Sequence, residues 1–409
     1  MNIAILTKIY PDSDDNVLDN TTSVVKDFAK SWADAGHNVF VYHNYTKQPG
    51  ALNLLPAKLV YALNIRFGYS LTPSSVNSSK NGDTIRMEDG VRIARFPQLK
   101  LIPGKGLMEF QVKKQFKKII VDMAREQFVP DVVIAHWEDP NLQLLSMIKR
   151  RFGSICVFTC HKIAYLNQPR YLNRALSWLN DIDAMFARSE AIGRQLQDLL
   201  KTDVPLPICR SGISSVFFER PLPEEGQRKG VLYVGRLLSY KNIDVLIDAC
   251  QSAKLNSLRR LRIIGNGPEE HSLRAVKADN VEFLGKQDHS VVVDELDKAS
   301  VLAMVSTKET FGLAYIEAMA RGCIVIAGDD GGMVGIIEDG VNGYLCPPRN
   351  VQMLASILER IERLSAEETA RIRANAIKTA ADYTQERQAK VYLSTALAVA
   401  EKHKEKQSR

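Results

Sequence analysis

Two glutamates, Glu309 and Glu317, flank a glycine where an apolar run gives way to a predicted helix. Gly312 lets the backbone approach a ligand closely, and the first helical amides have no partner within the helix and attract an anion such as phosphate. The carboxylates repel phosphate but accept hydrogen bonds from hydroxyls. The segment therefore predicts a ligand with phosphate in the middle and hydroxyl groups on both sides, as in a nucleotide sugar. The alternative is a plain helix with an acidic cap and one glutamate on its buried side.

Two histidines follow predicted strands in the first half of the chain. His136 comes directly after residues 131–135, and His161 follows residues 155–159. Ligands of open α/β sheets bind outside the carboxyl ends of the strands. A single histidine is usually structural, but two at successive strand ends favour a functional role for at least one.

The chain has 409 residues, enough for two domains, and its 45% apolar and 25% charged residues are typical of a globular protein. The first residues read directly into a strand rather than a signal peptide, and no uncharged apolar run approaches the ~18–20 residues that span a bilayer. The six cysteines have no metal-binding spacing, so we expect buried free thiols in a cytoplasmic protein.

The formal net charge of +7 is concentrated in one segment. Between Arg95 and Arg125, the basic segment, eight Lys and Arg residues stand against Glu109 and Asp122, which gives a net charge of +6. Such a segment could face anionic lipid, nucleic acid or an acidic substrate. The alternative is a solvated helix face.

Short apolar runs alternate with amphipathic stretches along the whole chain, a pattern that predicts βαβ units and parallel sheets. Predicted strands lie at residues 2–6, 39–42, 91–96, 131–135, 155–159, 184–187, 231–234, 261–264, 281–284, 301–305, 324–327 and 343–346.

Other stretches mark the boundaries between these elements. Residues 50–84 fit no regular pattern and are predicted to be an insertion, whereas residues 205–230 have the Pro, Gly and charge content of an interdomain linker. We predict an α/β protein of two doubly wound, Rossmann-like domains facing across a cleft. The predicted ranges are an N-terminal domain at 1–205, a linker at 206–228, a C-terminal domain at 229–384 and a helical tail at 385–409.

Short motifs follow one another through the second half in an order typical of one enzyme family. They are Gly212 within residues 208–218, Gly235-Arg236 with Lys241, Gly265-Asn-Gly-Pro268, Val281-Glu-Phe-Leu-Gly285, Ser306 with Glu309-Thr-Phe-Gly-Leu313, Glu317-Ala-Met-Ala-Arg-Gly322, Gly331-Gly332, Gly340-Val-Asn-Gly343 and Tyr383-Thr-Gln-Glu-Arg387. Together they resemble the retaining, GT-B-fold nucleotide-sugar glycosyltransferases of family four, the glycosyl transferases group 1. The resemblance covers residues 205–395 well and residues 1–200 in outline. It implies an acceptor-side N-terminal domain, a donor-side C-terminal domain and a last helix that crosses back to the N-terminal domain.

The resemblance also implies how a donor diphosphate is held. Arg236 and Lys241 resemble the family's cationic pair, which stabilises the charge that grows on the leaving nucleoside diphosphate. The amides of Gly312 and Leu313 add to this stabilisation. The donor is then a UDP- or GDP-sugar, and neither a metal nor a cofactor is required.

Hydroxyl contacts follow from the same resemblance. Glu317 resembles the carboxylate that binds ribose, and Glu309 the carboxylate that binds and orients the sugar. His136 resembles the N-terminal histidine that lies over the donor sugar, and His161 resembles a second, acceptor-side position. The remaining donor-binding candidates are Gly235, Gly267 and Phe311.

Two departures from the family pattern bear on the site. The loop at residues 7–16 has no glycine where relatives have a glycine-rich loop, so Asp12, Asp14 or Asp15 is a candidate for meeting the acceptor. Thr21 is a further acceptor-side candidate. Residues 333–335 read Met-Val-Gly where relatives commonly carry a glutamate.

A further pattern points to a different class of transferase. Asp181-Ile-Asp183 has the metal-binding D-x-D form of the other glycosyltransferase fold. It directly precedes a predicted strand, at a position where members of family four also carry an aspartate, so we predict a structural role.

The function predicted from these features is a retaining, metal-independent glycosyltransferase that acts on a glycan or lipid-linked acceptor in bacterial polysaccharide biosynthesis. The basic segment suggests a peripheral position at the inner face of the membrane and an anionic lipid partner rather than nucleic acid. Two alternatives stay open: a GT-B-type nucleotide-sugar epimerase and a non-catalytic nucleotide-sugar-binding subunit.

Overall fold

The computed structural model describes residues 1–11, 22–47, 82–99, 106–224, 226–276, 278–307 and 309–407. The chain forms two compact units. The N-terminal unit comprises Met1–Arg188, Ile192–Cys209 and Ala389–Arg409, and the C-terminal unit comprises Ser189–Ala191 and Arg210–Gln388. Each unit has its own hydrophobic core around a mostly or wholly parallel sheet. The two Rossmann-like sheets were predicted from the alternating apolar runs.

A seven-stranded sheet forms the centre of the N-terminal unit, in the order β4-β5-β2-β1-β7-β8-β9. The strands described in this unit are β1 Asn2–Thr7, β2 Asn38–His43, β3 Thr46–Lys47, β4 Thr84–Glu88, β5 Val91–Arg95, β6 Gln98–Leu99, β7 Val132–His136, β8 Ile155–Cys160 and β9 Ala184–Ala187. Strands β3 and β6 pair separately. The central strands are buried nearly throughout, as parallel strands covered by helices on both faces must be.

One strand of this sheet was missed in the sequence. Strand β4 pairs antiparallel with β5 through a tight turn in which Asp89 and Gly90 both have positive φ. An Asp-Gly pair is a strong hairpin signal because both residues tolerate this conformation. Part of the predicted 50–84 insertion lies outside the described residues, but its last residue, Thr84, begins this strand.

Helices cover the N-terminal sheet. They are α1 Val24–Asp34, α2 Glu109–Arg125, α3 Asn141–Phe152, α4 Pro169–Leu179, α5 Glu190–Leu200 and the second part of α13 Gln385–Gln407. Helix α13 begins in the C-terminal unit and packs onto α1 in the N-terminal unit, where the Trp32 indole donates to the Ala389 carbonyl at 2.9 Å and the Tyr392 ring contacts Phe28 and Trp32. The predicted return of the last helix to the N-terminal domain is therefore confirmed.

A six-stranded, wholly parallel sheet forms the C-terminal unit, in the order β12-β11-β10-β13-β14-β15. Its strands are β10 Val231–Val234, β11 Leu261–Ile264, β12 Val281–Gly285, β13 Val301–Met304, β14 Ile324–Gly328 and β15 Tyr344–Cys346. Its helices are α6 Val216–Glu219, α7 Ile243–Ser252, α8 Glu270–Arg274, α9 His289–Lys298, α10 Leu313–Ala320, α11 Val351–Glu362 and α12 Ala366–Ala380. All six strands of this sheet agree with the predicted apolar runs.

Two predictions about single residue types are also confirmed. All six cysteines are buried free thiols. Asp181 accepts hydrogen bonds from Ser146 and Arg150, and Asp183 pairs with Lys149 and the Cys156 amide. The D-x-D triplet therefore joins α3 to the sheet and is structural.

Within the part of the chain that the structure describes, no helix is both long and apolar enough to cross a membrane.

Candidate functional site

The loop between β13 and α10 carries the predicted donor-binding residues. Gly312 has a φ of 79°, and a Cβ at this position would lie 2.5 Å from the Tyr315 ring and 3.3 Å from Glu309 Cγ. Only glycine fits, because both the backbone conformation and the close packing exclude a side chain. The buried Tyr315 hydroxyl donates to the Met304 carbonyl, so that the ring fixes the loop. Glu309 and the open amides at the start of α10 therefore lie side by side.

Lys241 and Glu309 form a direct ion pair in this loop region. Lys241 ends a short 3-10 turn after β10, and its Nζ contacts Glu309 Oε2, with side-chain exposures of 12% and 16%. Sequence analysis assigns the lysine to the diphosphate and the glutamate to the sugar. The two groups neutralise each other at the carboxyl ends of β10 and β13. Because an ammonium group has three donors, Lys241 can contact a phosphate and Glu309 at the same time.

The predicted glycines after β10 and β11 allow two loops to cross. A Cβ on Gly265 would lie 1.8 Å from the Gly235 carbonyl oxygen, and one on Gly267 would lie 2.3 Å from the Leu237 carbonyl oxygen. The Leu237 amide donates to the Asn266 carbonyl at 2.9 Å across this crossing. Glycine is therefore required at both positions, because any side chain would clash with the neighbouring backbone. The exposed Arg236 lies beside the point where the two loops cross.

Phe311 and the Gly331-Gly332 turn stabilise the loop between β13 and α10. Phe311 is buried, and a Cβ on Gly332 would lie 2.3 Å from the Thr310 carbonyl oxygen. The Gly332 amide donates to the Glu309 carbonyl at 2.8 Å. Where relatives commonly carry a glutamate, Met333 is buried in the core and Gly335 faces open space. The structure therefore provides no carboxylate at residues 333–335.

Glu317 has a partner that sequence analysis missed. His289 Nε2 lies 3.7 Å from Glu317 Oε1, and its ring packs edge-on against Phe217 at 5.0 Å between centroids. The Glu317 carboxylate raises the pKa of His289 above its usual value. Residues 289 and 317 belong to different helices, and a single histidine at a helix start gives no signal of this contact.

In the N-terminal unit, both predicted histidines meet at adjacent strand ends. His136 Nδ1 lies 2.9 Å from His161 Nε2, and the His161 ring stacks on the Trp137 indole at 3.9 Å between centroids. His136 is fully buried, whereas His161 keeps some exposed surface. Burial and the nearby Arg188 guanidinium lower the pKa of His136 to about 3. Burial, His136 and Arg188 also lower the pKa of His161 well below its usual value, so that both rings are neutral at pH 7.

The residues after His136 form a braced turn. Trp137 has a positive φ of 62°, an uncommon conformation for an aromatic residue. Glu138 is buried and accepts hydrogen bonds from the Tyr165 and Leu166 amides, and burial raises its pKa to about 7. Such strain and carboxylate burial are concentrated at functional sites.

Several predicted acceptor-side residues cannot be placed. Asp12, Asp14, Asp15 and Thr21 lie outside the described residues.

The basic segment is divided between the core and the surface. Arg95 is buried and donates to the Pro11 carbonyl at 2.9 Å, so its assignment to a surface patch is wrong. Asp122 is also buried, in an ion pair with Arg92. Lys100 and Lys105 lie outside the described residues. Apart from the buried Asp122, α2 carries five Lys and Arg residues against Glu109, a net charge of +4.

Helix α2 presents apolar and basic side chains on one exposed face. Phe110 and Val121 are 63% and 49% exposed. They share this face with Lys113, Lys114 and Lys117, because residues three and four apart on a helix are neighbours. Lys113 pairs with Glu109 one turn away, at 2.8 Å.

Among the described residues, no group of three or more His, Cys, Asp and Glu side chains could hold a metal ion.

Comparison with known proteins adds the following. Residues 217–379 match the family model described as Glycosyl transferases group 1. The N-acetyl-alpha-D-glucosaminyl L-malate synthase of Bacillus anthracis is 26% identical over 234 residues, 53% of this chain and 61% of that protein. A putative colanic acid biosynthesis glycosyltransferase, WcaL of Salmonella typhimurium, is 29% identical over 260 residues, 58% of this chain and 63% of that protein. The matched stretches thus span about three fifths of these curated relatives.

A solved structure extends the likeness of fold to nearly the whole chain. Anabaena Alr3699/HepE, in complex with UDP and glucose, superposes with a TM-score of 0.64 at 18% identity, over 97% of this chain and 99% of that one.

Proposed function

We propose that this chain, whose residues 217–379 belong to the Glycosyl transferases group 1 family and whose two α/β sheets form a GT-B fold, transfers a sugar from a nucleoside-diphosphate donor to a glycan or lipid-linked acceptor. The reaction retains the anomeric configuration of the sugar and requires no metal. Similarity to the putative colanic acid biosynthesis glycosyltransferase supports a place in bacterial polysaccharide synthesis.

One observation carries the proposal: Lys241 and Glu309 touch each other beside the start of α10. A cation, a carboxylate and open helix amides are the three groups that a diphosphate flanked by hydroxyls requires. All three lie at the carboxyl ends of parallel strands, where ligands of α/β sheets bind.

The chemistry assigned to each group follows from its charge. When the bond between the anomeric carbon and the phosphate oxygen breaks, its electron pair stays with the diphosphate. Arg236, Lys241 and the amides of Gly312 and Leu313 stabilise the growing negative charge. Glu309 accepts hydrogen bonds from sugar hydroxyls, and Glu317 accepts them from ribose hydroxyls. The acceptor hydroxyl oxygen forms the new bond to the anomeric carbon, and its proton passes to the departing diphosphate oxygen.

The donor proposed first is a UDP-sugar. Anabaena Alr3699/HepE, with a similar fold, was solved with UDP and glucose, which supports uridine ahead of guanosine. GDP-sugars stay in the proposal because the fold alone does not select a base.

We also propose that the exposed face of α2 binds an anionic membrane surface that carries a lipid-linked acceptor. Lysines attract anionic headgroups by about 1 kcal/mol each, and Phe110 and Val121 supply apolar side chains that enter the interface.

Flotation with vesicles containing phosphatidylglycerol tests the membrane proposal. The double variant Lys114→Gln/Lys117→Gln should bind the vesicles more weakly than the native protein. Adding Phe110→Ser to it should weaken the binding that remains at high salt, where the attraction between charges is screened. The charge-matched control, Lys254→Gln/Lys402→Gln, changes exposed lysines elsewhere. Equal flotation of the two double variants would contradict the proposal.

Donor turnover tests the transferase proposal. We would incubate the protein with UDP-glucose or GDP-mannose in EDTA, with water as the acceptor, and follow release of the nucleoside diphosphate by ³¹P NMR and the first sugar anomer by ¹H NMR. We expect release of nucleotide from one donor, with the α-anomer of the sugar formed first. Binding of the donor without its cleavage would support the non-catalytic subunit instead. Inversion at a carbon of the sugar other than the anomeric carbon would support the epimerase.

A further inference from the structure

A cavity of about 320 Å³ lies between the last strand of the C-terminal sheet and the two helices that follow it. Three arginines line this cavity, Arg360 and Arg363 at the end of α11 and Arg371 in α12. Tyr344 and Glu368 also line it. None of these five residues belongs to the motifs that point to a nucleotide sugar, so the cavity is a candidate anion site of its own.

This cavity lies at the edge of the C-terminal sheet opposite the candidate donor site. Helix α11 follows β15 and runs back along the sheet, as a helix after a parallel strand does. Its last residue, Glu362, accepts hydrogen bonds at 3.0 Å from the amides of Ser257 and Leu258, which lead into the amino end of β11. Lys241 and Glu309 lie at the carboxyl ends of their strands instead. A ligand in the cavity therefore leaves the donor site open.

Two of the three guanidinium groups have no carboxylate in contact. Arg363 pairs with Glu359 of its own helix at 3.1 Å. Arg360 and Arg371 are exposed, and neither forms an ion pair within the part of the chain that the structure describes. Each therefore keeps its N–H donors for an anion in the cavity.

The Arg360 guanidinium is held in place before any ligand binds. It lies over the ring of Tyr344, 5.3 Å from the centroid. That ring is fixed, because Tyr344 is only 1% exposed. Cation–π contact restricts the arginine side chain, and a restricted side chain loses less freedom when a ligand binds.

One carboxylate in the cavity opposes an anion, but it has a partner of its own. Glu368 accepts a hydrogen bond from the Ser365 amide at 2.9 Å, in the capping box that begins α12. This bond first, and then the charges of Arg371 and Arg360, lower the pKa of Glu368. Glu368 is therefore ionised at pH 7 and tied to the helix start, and it reduces the positive charge of the cavity without forming an ion pair with either arginine.

The two arginines favour a phosphate over a carboxylate. Arg360 and Arg371 reach the cavity from different helices, so one anion must offer oxygens in more than one direction. A phosphomonoester has three such oxygens and a charge of about −1.5 to −2 at pH 7, whereas the two oxygens of a carboxylate pair with a single guanidinium. The volume is near the lower end of the roughly 300–1,000 Å³ of small-molecule sites, which favours a small ester.

We propose that this cavity binds a phosphomonoester between Arg360 and Arg371, at a second anion site remote from the donor site. This site goes beyond the proposed function and does not rest on it.

Calorimetric titration with glycerol 3-phosphate at constant ionic strength tests the site. The double variant Arg360→Gln/Arg371→Gln should lose about tenfold or more in affinity, because each charge-assisted hydrogen bond contributes at least this factor. The matched control, Arg259→Gln/Arg387→Gln, removes two exposed arginines elsewhere in the same unit and should bind as the native protein does. Equal affinity of the two double variants would overturn the proposal.

Glu368→Gln tests the same site with the opposite sign. Glutamine keeps the hydrogen bond with Ser365, because a capping box accepts Gln as well as Glu, so that α12 keeps its start. The variant removes only the negative charge, and glycerol 3-phosphate should bind a few-fold more tightly. Weaker binding than in the native protein would contradict an anion site at this place.

Arg236→Ala separates this site from the donor site. Glycerol 3-phosphate should bind to this variant with native affinity. If Arg236→Ala abolished binding of the ester and Arg360→Gln/Arg371→Gln did not, the ester would belong to the donor site and the proposal would be overturned. Failure of UDP to bind the native protein would count against the proposed function alone.

Flotation identifies the source of the phosphate. Phosphatidic acid in phosphatidylcholine vesicles carries the same phosphomonoester as a lipid headgroup. Binding of free glycerol 3-phosphate that the double arginine variant weakens, with unchanged flotation, would identify a soluble ester. Weaker flotation of this variant, without binding of the free ester, would identify the headgroup. Absence of both effects would overturn the proposal.

Discussion

The candidate site of the C-terminal unit consists of opposite charges, whereas the candidate site of the N-terminal unit consists of neutral rings. Lys241 and Glu309 form an ion pair that solvent reaches at both side chains. His136 and His161 form a hydrogen bond inside an aromatic cluster, with both pKa values lowered. Both sites lie at the carboxyl ends of parallel strands. The charges of the first site suit the ionic diphosphate that we propose there, whereas the neutral rings of the second site carry no charge that would attract one.

Removing Glu309 should have the largest effect. Glu309→Ala should lower donor turnover about a thousandfold or more, because the carboxylate orients the sugar as charge develops. Nucleotide affinity should be kept or rise, because Lys241 then interacts only with phosphate. Turnover and calorimetry measure the two effects. Glu270→Ala changes a carboxylate in α8 of the same unit and serves as the control; native turnover in Glu309→Ala would contradict the account.

Removing Lys241 should mainly weaken nucleotide binding. Lys241→Ala should weaken UDP binding about 10- to 100-fold, since a charge-assisted hydrogen bond contributes about 1.5–3 kcal/mol. Calorimetry at constant ionic strength measures the change, with Lys254→Ala as a surface control. If Lys241→Ala and Glu309→Ala changed UDP affinity in the same direction, the charge-pair description would be wrong.

The neutral histidine site predicts acid sensitivity of the N-terminal unit. Because the pKa of His136 is about 3 when folded and near 6.5 when unfolded, the unfolded chain binds more protons between these values. Stability therefore falls as pH drops below 6.5, by up to about 1.4 kcal/mol per pH unit. His136→Leu should remove the part of this dependence that His136 contributes and leave the part that the buried His161 contributes.

Tryptophan fluorescence can follow this unit by itself. All three tryptophans, Trp32, Trp137 and Trp178, belong to the N-terminal unit. Urea unfolding at pH 7, 6 and 5 gives the slope of the free energy of unfolding against pH. Equal slopes for the native protein and His136→Leu would contradict a buried neutral His136 ring.

The smallest expected effect concerns His289. The pKa of His289 is raised by Glu317, so the pair stabilises the protein below the unfolded value near pH 6.5, and this is lost as pH rises through the folded value. Because the ring is largely exposed, His289→Asn should cost about 0.5 kcal/mol or less at pH 6 and nothing at pH 8. Thermal unfolding at both pH values measures it, against His271→Asn, an exposed histidine of the same unit. A larger loss at pH 8 than at pH 6 would have the wrong sign.

The sequence predicted the parallel strands of both sheets, because buried parallel strands are short, continuous apolar runs; it did not predict the antiparallel edge strand β4. It also carried the loop between β13 and α10, whose glycine is required by local geometry. Motif order predicts that Arg236, Lys241, Glu309 and Glu317 bind one ligand, and this stays a prediction.

Contacts between segments that are distant in the chain could not be predicted from the sequence pattern. The ion pair of Lys241 with Glu309 and the contact of His289 with Glu317 depend on how loops from different strands approach each other. The inward direction of Arg95 and Asp122 likewise depends on packing, which a count of charges over a segment ignores. The hairpin at Asp89 and Gly90 is different, since its turn signal was present in the sequence and was missed.

Calorimetric titration with UDP, GDP and ADP in EDTA tests the central claim most directly, that the C-terminal site binds a nucleoside diphosphate through cations and helix amides. The account predicts binding of one nucleotide, with a Kd of about micromolar order, and its loss in Arg236→Ala. Absence of binding by all three, or binding that Arg236→Ala leaves unchanged, would contradict it.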